Sequence, residues 1–363
     1  MDFLTKPIYI LGLILLAYLW MKYKNFGKPC LTKYKQSEIN SLRDRIDQQS
    51  QPWRNKDLRP LNTKKTLISE KGMKFTICEA IELVKMSPNA TYGFRKNFSE
   101  KTNPFMGKLK ENLVITHNLN EKHKLLLNRY PVIPKQLMIV AKASHFETQS
   151  NPLDFYDMEG VILTMKIIEN PIVFFNGGQS AGASQPHKHI QVIPLESFDE
   201  VYGCHLHKKI LEHKGCGNPE TEEKIPGFDF KHQLQYFKKD FSKQLSGFGA
   251  SQFQMSNQLL KIYKNILDNL GIKKKKLQHG TNVVITKTYM LVIVRNTFAH
   301  TDLRKDKDLP PYRPNTLCFL GLFYTRSEEQ TKNSTKKGFM NILEQCCEKE
   351  SEALESTQKF KED

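Results

Sequence analysis

Asn176-Gly177-Gly178-Gln179-Ser180-Ala181-Gly182-Ala183-Ser184-Gln185-Pro186-His187-Lys188-His189-Ile190-Gln191 is the stretch on which the reading of this chain turns. An apolar, β-prone run, Ile172-Val173-Phe174-Phe175, precedes it, and a second, Val192-Ile193-Pro194-Leu195, follows. The pattern predicts a strand, a tight loop of small residues and a second strand. In the second strand His187, His189 and Gln191 alternate with Lys188, Ile190 and Val192. A period of two therefore sets both histidines and the glutamine on one face. In the loop before them, backbone N–H groups can approach an anionic oxygen closely. An imidazole beside such a cradle is the minimum equipment for nucleophilic attack on phosphorus.

Upstream, Asp154–Ile168 has helical spacing of Met158, Val161, Ile162 and Met165, with Asp154 placed to cap it. Leu113–Ile115, Lys124–Pro131 and Leu137–Ala141 are expected strands, and Met73–Met86 an expected helix with an Ala80, Ile81, Leu83, Val84 stripe. Downstream, Ser256–Leu270 carries Leu259, Ile262, Ile266 and Leu270 on one face and stops at Gly271. Thr281–Thr286 and Met290–Val294 form an expected hairpin, Thr316–Tyr324 a further apolar segment, and Gly338–Glu348 a short helix before a frayed tail. Residues 30–65 are polar and have the character of a linker, with a short helix over Ser37–Gln49. Residues 205–247 are charged and glycine-containing and suggest a surface excursion; His205, His207, His213 and His232 within it lack metal-ligand spacing, so no metal site is expected there. The lysine run Lys273–Lys276 is expected to be a solvated face. There is no internal repeat, P-loop or GxGxxG motif.

The chain has 363 residues, enough for a full enzyme, and a formal charge of +17, which suits a polyanionic ligand without choosing one. Seven cysteines without paired CxxC spacing argue against a zinc site or a disulfide framework and favour reduced thiols in a cytosolic setting. Ile8–Met21 is apolar and flanked by Lys6, Lys22, Lys24 and Lys28. A helix of that length reaches about two thirds of the way across a hydrocarbon core. Snorkelling lysines and Tyr18, Trp20 and Tyr23 fit an interface, so residues 1–29 have two readings, a membrane anchor or a buried or interfacial helix. The basic C-terminal flank would leave the remainder of an anchored chain cytosolic.

The loop NGGQSAGASQPHKHIQ resembles the active-site segment of the eukaryotic ATP adenylyltransferases, also called diadenosine tetraphosphate phosphorylases. These belong to the histidine-triad superfamily, alongside galactose-1-phosphate uridylyltransferase. HKLLLNRYPVIPKQLMIVAKASHFETQSNPLDFYD upstream is similar to the same family, and TNVVITKTYMLVIVRN and PNTLCFLGLFYTRSEE more loosely so, covering Thr66 to Glu329. A bare His-x-His on a strand is usually structural; the loop and these flanks argue for chemistry. The resemblance implies an α+β fold, a mostly antiparallel sheet flanked by helices with additional C-terminal strands. Its parts are a catalytic part over 66–204, a C-terminal part over 248–329 and a charged tail over 330–363.

By the same resemblance His189 is the nucleophile that takes an adenylyl group, Gln191 hydrogen-bonds its phosphate, and His187 orients its neighbours. Asn176, Gly182, Ala183, Ser184 and Gln185 match the loop contacting phosphates and ribose, and Asn128 and Arg129 stand where the family has Asn-Lys at the nucleotide. Lys101, Asn282, Thr286, Lys287 and Arg326 are further candidates. A glutamine cannot move protons, so Gln191 favours transfer to phosphate over hydrolysis. The expected reaction is phosphorolysis of diadenosine tetraphosphate to ADP and ATP. Alternatives are nucleotidylyl transfer with adenylyl sulfate, ADP or a sugar phosphate, and a membrane-tethered protein that binds a dinucleotide without turnover. Expected partners are diadenosine polyphosphates, ATP, ADP and phosphate, with no specific nucleic acid and no resident metal. Mg2+ would accompany the nucleotide, and the chain is expected to be a cytoplasmic monomer.

Overall fold

The computed structural model describes residues 33–80, 103–199, 201, 203–213, 223–247, 251–272, 280–296 and 314–350. In chain order these give α1 (Gln36–Gln49), β1 (Lys64–Glu70), β2 (Met73–Glu79), β3 (Val114–Thr116), β4 (His123–Leu127), β5 (Leu137–Ala141) and α2 (Phe155–Ile167). Then follow β6 (Pro171–Gly177), β7 (His189–Pro194), α3 (His205–His213), β8 (His232–Tyr236), α4 (Lys239–Ser246) and α5 (Gln252–Asn269). The last elements are β9 (Gly280–Ile285), β10 (Tyr289–Arg295), α6 (Thr316–Phe319), β11 (Leu322–Thr325), α7 (Glu328–Lys337) and α8 (Phe339–Gln345).

An eight-stranded antiparallel sheet, ordered β3-β4-β5-β7-β6-β9-β10-β8, forms the centre. A smaller sheet, β1-β2-β11, pairs β11 with β2 in parallel. The expected α+β architecture is thus present. Period-two alternation sends Val173, Phe175, Ile190, Val192, Val283 and Ile285 into one apolar cluster beneath α1, α2, α4 and α5. Ile172, Phe174, Ile193, Val284 and Leu291 go to the opposite face, where β2, β11, α3, α6 and α8 cover them. On that second face Leu126, Val140 and Val114 have their own cover, Phe105 and Leu109. The strip of β7 bearing His189 and Gln191 lies between these two covers.

Helix α2 begins as expected: Asp154 Oδ1 accepts from the Asp157 N–H at 2.9 Å and Asp157 Oδ2 accepts from the Asp154 N–H at 2.8 Å, a reciprocal cap. The β9–β10 hairpin and the stop of α5 at left-handed Gly271 also match the sequence reading.

Four expectations are corrected. Met73–Glu79 is a strand, because Lys71 and Gly72 both take positive φ (48° and 71°) in a two-residue hairpin turn and Met73, Phe75 and Ile77 alternate inward. Residues 81–86 of the expected helix lie outside the described residues. The supposed linker contributes α1 to the core: Ile39 and Ile46 are buried, and Arg43 donates to the carbonyls of Ile167 (2.6 Å) and Lys166 (2.7 Å) at the end of α2. The supposed surface excursion supplies β8, paired with β10, and α3. Two of its histidines are buried with partners for their rings: His207 Nδ1 lies 2.9 Å from the Tyr289 hydroxyl. The His232 ring donates to the Phe230 carbonyl (2.7 Å) and accepts from the Ile225 N–H (2.8 Å). Residues 330–350 are no tail either: they continue α7, and the short helix expected over Gly338–Glu348 is α8, which buries Phe339, Met340, Ile342 and Leu343. The five described cysteines, Cys78, Cys204, Cys318, Cys346 and Cys347, are free and buried.

Among the described residues no helix is long and apolar enough to cross a membrane; Ile8–Met21 lies outside them, as does Lys273–Lys276.

Candidate active site

The β6–β7 ladder stops at Phe174 opposite Gln191, two residues short of His189. There the buried side chain of Gln149 takes the place of a peptide unit. Its Oε1 accepts from the His189 N–H at 2.7 Å, and its Nε2 donates to the carbonyls of Asn176 and His189, both at 3.0 Å. The strands can therefore splay around the loop without leaving buried backbone groups unpaired.

His189 is 5% exposed. Its Nδ1 lies 2.9 Å from the His187 carbonyl, an acceptor only, so Nδ1 carries the proton and Nε2 the lone pair. Burial lowers the pKa of this imidazole, only partly opposed by the bond to His187, and so holds it neutral. The Phe105 ring lies 5.6 Å away and walls the site from water. His187 is fully buried with both nitrogens committed: Nε2 donates to the Ala141 carbonyl at 2.7 Å and Nδ1 accepts from Asn103 Nδ2 at 2.9 Å. Burial pushes it down to about 4. Its ring is thus a strut, and its carbonyl orients His189. Gln191 is half-buried, and its Oε1 accepts from Gln136 Nε2 at 2.6 Å, which leaves its own N–H2 group directed elsewhere.

Gln136 also lines a cavity of about 370 Å³ together with Asn128, Leu58, Pro131, Val132 and Lys135. Asn128 thus stands beside the site, and the exposed Arg129 next to it lies over the Tyr130 ring at 5.5 Å. Lys124 faces the same side of the sheet, in register with Val140 and through it with His189; its Nζ donates to the Phe105 carbonyl at 2.8 Å. Burial lowers the pKa of this ammonium.

The loop itself differs from a simple cradle. The N–H groups of Ala181, Gly182 and Ala183 turn back to the carbonyls of Gly178 and Gln179. Among the described residues those of Ser184 and Gln185 have no backbone acceptor, and Gln185 Oε1 is buried without a partner. Ser184 is exposed. Gly182 sits at φ +82°, where a Cβ would come within 2.6 Å of the Pro314 carbonyl, so the loop packs directly on the Pro314–Asn315 backbone.

Asn176 and Asn282 bond to each other in a buried network. Asn176 Oδ1 accepts from Asn282 Nδ2 (2.9 Å) and from the N–H (2.9 Å) and hydroxyl (2.7 Å) of Thr316, while Arg295 donates to Asn282 Oδ1 at 2.8 Å. This buried network ties β6, β9 and α6 together behind the loop. Thr286 closes the β9–β10 turn, bonded to Thr288 and Tyr289, and Lys287 feels Glu169 and Arg43 near the end of α2. Both stand at the far end of β9 from Asn282, because Val173 pairs with Ile285 whereas Asn176 pairs with Asn282. Arg326 follows β11 in the smaller sheet, its N–H bonded to Gln330. Lys101 lies outside the described residues.

Two sequence models match in tandem: the Ap4A phosphorylase N-terminal domain over residues 32–209 and the ATP adenylyltransferase C-terminal domain over 226–349. The chain belongs to the Ap4A phosphorylase family of ATP adenylyltransferases. In Saccharomyces cerevisiae, diadenosine 5',5'''-P1,P4-tetraphosphate phosphorylase 2 is 24% identical over 263 residues, covering 66% of this chain and 74% of its own length. The protein APA1 of the same yeast is 23% identical over 259 residues, with 66% and 75% covered. Crystal structures of the yeast Ap4A phosphorylase Apa2 share the fold. The complex with Ap4A superposes with a TM-score of 0.62 at 18% identity, covering 84% of this chain and 97% of that one. The AMP complex gives 0.60 at 19% identity, covering 85% and 96%. Within this family architecture both halves share one sheet, since β8, β9 and β10 extend the β3–β7 portion.

Gln149, Gln136, Asn103 and Lys124 escaped the sequence reading. Each is an ordinary polar residue whose partner lies well outside any local pattern, from 19 positions away for Lys124 to 84 for Asn103. The only local signal belonged to Gln136, two residues after Pro134 in a turn.

Proposed function

We infer that the chain is an ATP adenylyltransferase that cleaves diadenosine tetraphosphate with orthophosphate to ADP and ATP. The carrying observation is the fixed tautomer of His189. Its Nδ1 proton is held by the His187 carbonyl, so the Nε2 lone pair is available on the face it shares with Gln191, which bonds Gln136 in the wall of the Asn128-lined cavity. In the first step Nε2 bonds to an α-phosphorus and the bond from that phosphorus to the β-bridging oxygen breaks, releasing ATP. The imidazole becomes cationic, and the His187 carbonyl at Nδ1 stabilises that charge. In the second step a phosphate oxygen attacks the same phosphorus, the P–N bond breaks and ADP leaves, restoring neutral His189.

Charge develops on the non-bridging phosphoryl oxygens in both steps, where the Gln191 N–H2 group is the preorganised donor. The free N–H groups of Ser184 and Gln185 and the Ser184 hydroxyl supply further contacts. A polyphosphate leaving group needs no proton near neutral pH, and an amide provides none. Water therefore receives no general base at this position, and the intermediate waits for phosphate. The cavity beside Gln136 suits a nucleoside, and Mg2+ would travel with the polyphosphate as part of the substrate.

The test is incubation of the pure chain with diadenosine tetraphosphate, with and without phosphate. ATP and ADP should form only when phosphate is present, and His189→Asn should lose about 10⁴-fold or more of the turnover. Release of AMP plus ATP without phosphate would make the chain a hydrolase and overturn the reading. For location, Ile8–Met21 supports membrane attachment with the remainder cytosolic; deleting residues 1–29 should then release the chain from the membrane pellet.

A further inference from the structure

An amide side chain is nearly symmetric in shape and opposite in chemistry at its two ends. Gln191 serves as a phosphoryl donor only if its nitrogen faces the cleft; the flipped rotamer would present an oxygen to an anion. The register places Gln191 opposite Met138 on β5 and Phe174 on β6, and neither side chain can distinguish the two orientations. The distinction comes from outside the strand. Gln136, 2% exposed, donates its Nε2 to Gln191 Oε1 at 2.6 Å. Its own Oε1 accepts from the Val132 N–H at 3.1 Å, and a backbone N–H can only donate, so the orientation of Gln136 is fixed in turn. The turn carrying it is anchored too: its carbonyl accepts from the Asn128 N–H at 2.8 Å, and the preceding Lys135 is held at φ 56°, a conformation uncommon outside glycine and asparagine.

We propose that Gln136 is a positioning residue for adenylyl transfer: it relays the polarity of the Val132 backbone N–H to Gln191 and so keeps the Gln191 N–H2 group aimed at the phosphoryl oxygens. The proposal rests on the adenylyltransferase reading of His189 and Gln191. It makes a distinction that packing alone would not. Methionine at 136 fills similar space and leaves Gln191 free to flip. Glutamate at 136 accepts from Gln191 and turns its oxygen toward the phosphate.

The experiment measures phosphorolysis of diadenosine tetraphosphate by the full chain carrying Gln136→Met, Gln136→Glu or Gln191→Ala, and by the double variants. At pH 7.5 kcat should fall about 10-fold in Gln136→Met and about 100-fold in Gln136→Glu, toward the loss expected on removing a transition-state donor. Lowering the pH from 8 to 6 should restore activity to Gln136→Glu relative to wild type, because a buried glutamic acid takes up a proton in that range and donates again. In the Gln191→Ala background neither change at 136 should cost more than about twofold, since there is no amide left to orient.

If wild type fails to consume the dinucleotide, the functional reading falls, independently of Gln136. If wild type turns over while the Met and Glu variants lose equal activity at every pH, or their effects multiply with Gln191→Ala, the positioning role is overturned. Should Gln136→Glu fail to fold, Gln136→Met with its double variant decides the matter.

Discussion

Lys188 and His189 are neighbours in the chain, both buried, and they leave the start of β7 in opposite directions into two polar clusters. On the helix-covered side Lys188 Nζ meets Asp157 at 2.5 Å, Glu147 at 2.9 Å and the Pro152 carbonyl at 2.9 Å. Asp157 also takes His123 Nε2 at 3.0 Å, and His123 Nδ1 lies 3.0 Å from Asn120 Oδ1. Burial opposes charge on Asp157, but the Lys188 ammonium and His123 hold its carboxyl well below the usual carboxylate range. Each polar atom named there has a partner. On the cleft side His187 is equally well satisfied, but among the described residues His189 Nε2 and the Gln191 N–H2 group are not. One cluster fastens β7 to α2; the other leaves one lone pair and one donor for a ligand. The difference teaches that reactivity here resides in what the hydrogen-bonding around His189 and Gln191 leaves over, whereas Lys188, Asp157 and His123 satisfy one another.

The largest effect expected from breaking this contrast is on stability. Lys188→Met removes the ammonium and leaves the Asp157 carboxylate buried, which should cost about 3–5 kcal/mol in urea unfolding. The protein that stays folded should still turn over; an unchanged unfolding midpoint would show that the cluster does not anchor the strand. Gln191→Ala should do the reverse, lowering kcat about 10²–10³-fold while changing stability by less than about 1 kcal/mol.

The two sides should also separate by pH. Burial pushes His187 down to about 4, and His207 and His232 likewise, against about 6.5 for an unfolded histidine. The unfolded chain then binds more protons, so stability falls as pH drops from about 6.5 to about 4, by up to about 3 kcal/mol per histidine. Asp157 has a depressed pKa, so its contribution is present above its ordinary carboxylate range and is lost only below about pH 4. Urea unfolding at pH 7.5 and 5, with an NMR titration of the His187 ring, checks the first window. Asp157→Asn should leave that window unchanged and remove part of the second. The smallest effect belongs to Lys287→Ala, which should alter phosphorolysis by less than about twofold because the side chain sits near Glu169 and Arg43 at the far end of the hairpin.

Much of the architecture around β7 was legible because it is periodic. Alternation in His187–Val192 named the faces, and the spacing in Asp154–Ile168 and Ser256–Leu270 named two helices that do pack on the sheet. Met73–Glu79 was misread as helical because the Lys71-Gly72 turn is a two-residue signal, easily outvoted by the apolar residues after it. Residues 205–247 looked like surface because their polar side chains, His232 above all, find partners only after folding.

By itself, then, the sequence determined the strand–loop–strand with its histidine pair, the identity of His189 and Gln191 as the residues to watch, and the family they belong to. These follow from short-range spacing and a contiguous motif. Only the tertiary structure decided that Asn176 and Asn282 form a brace, that Thr286 and Lys287 stand away from the cleft, and that Gln149 and Gln136 set up His189 and Gln191. Those roles depend on which strands are neighbours and in what register. A hydrogen bond between residues 40 or 55 positions apart leaves no trace in the local pattern of either.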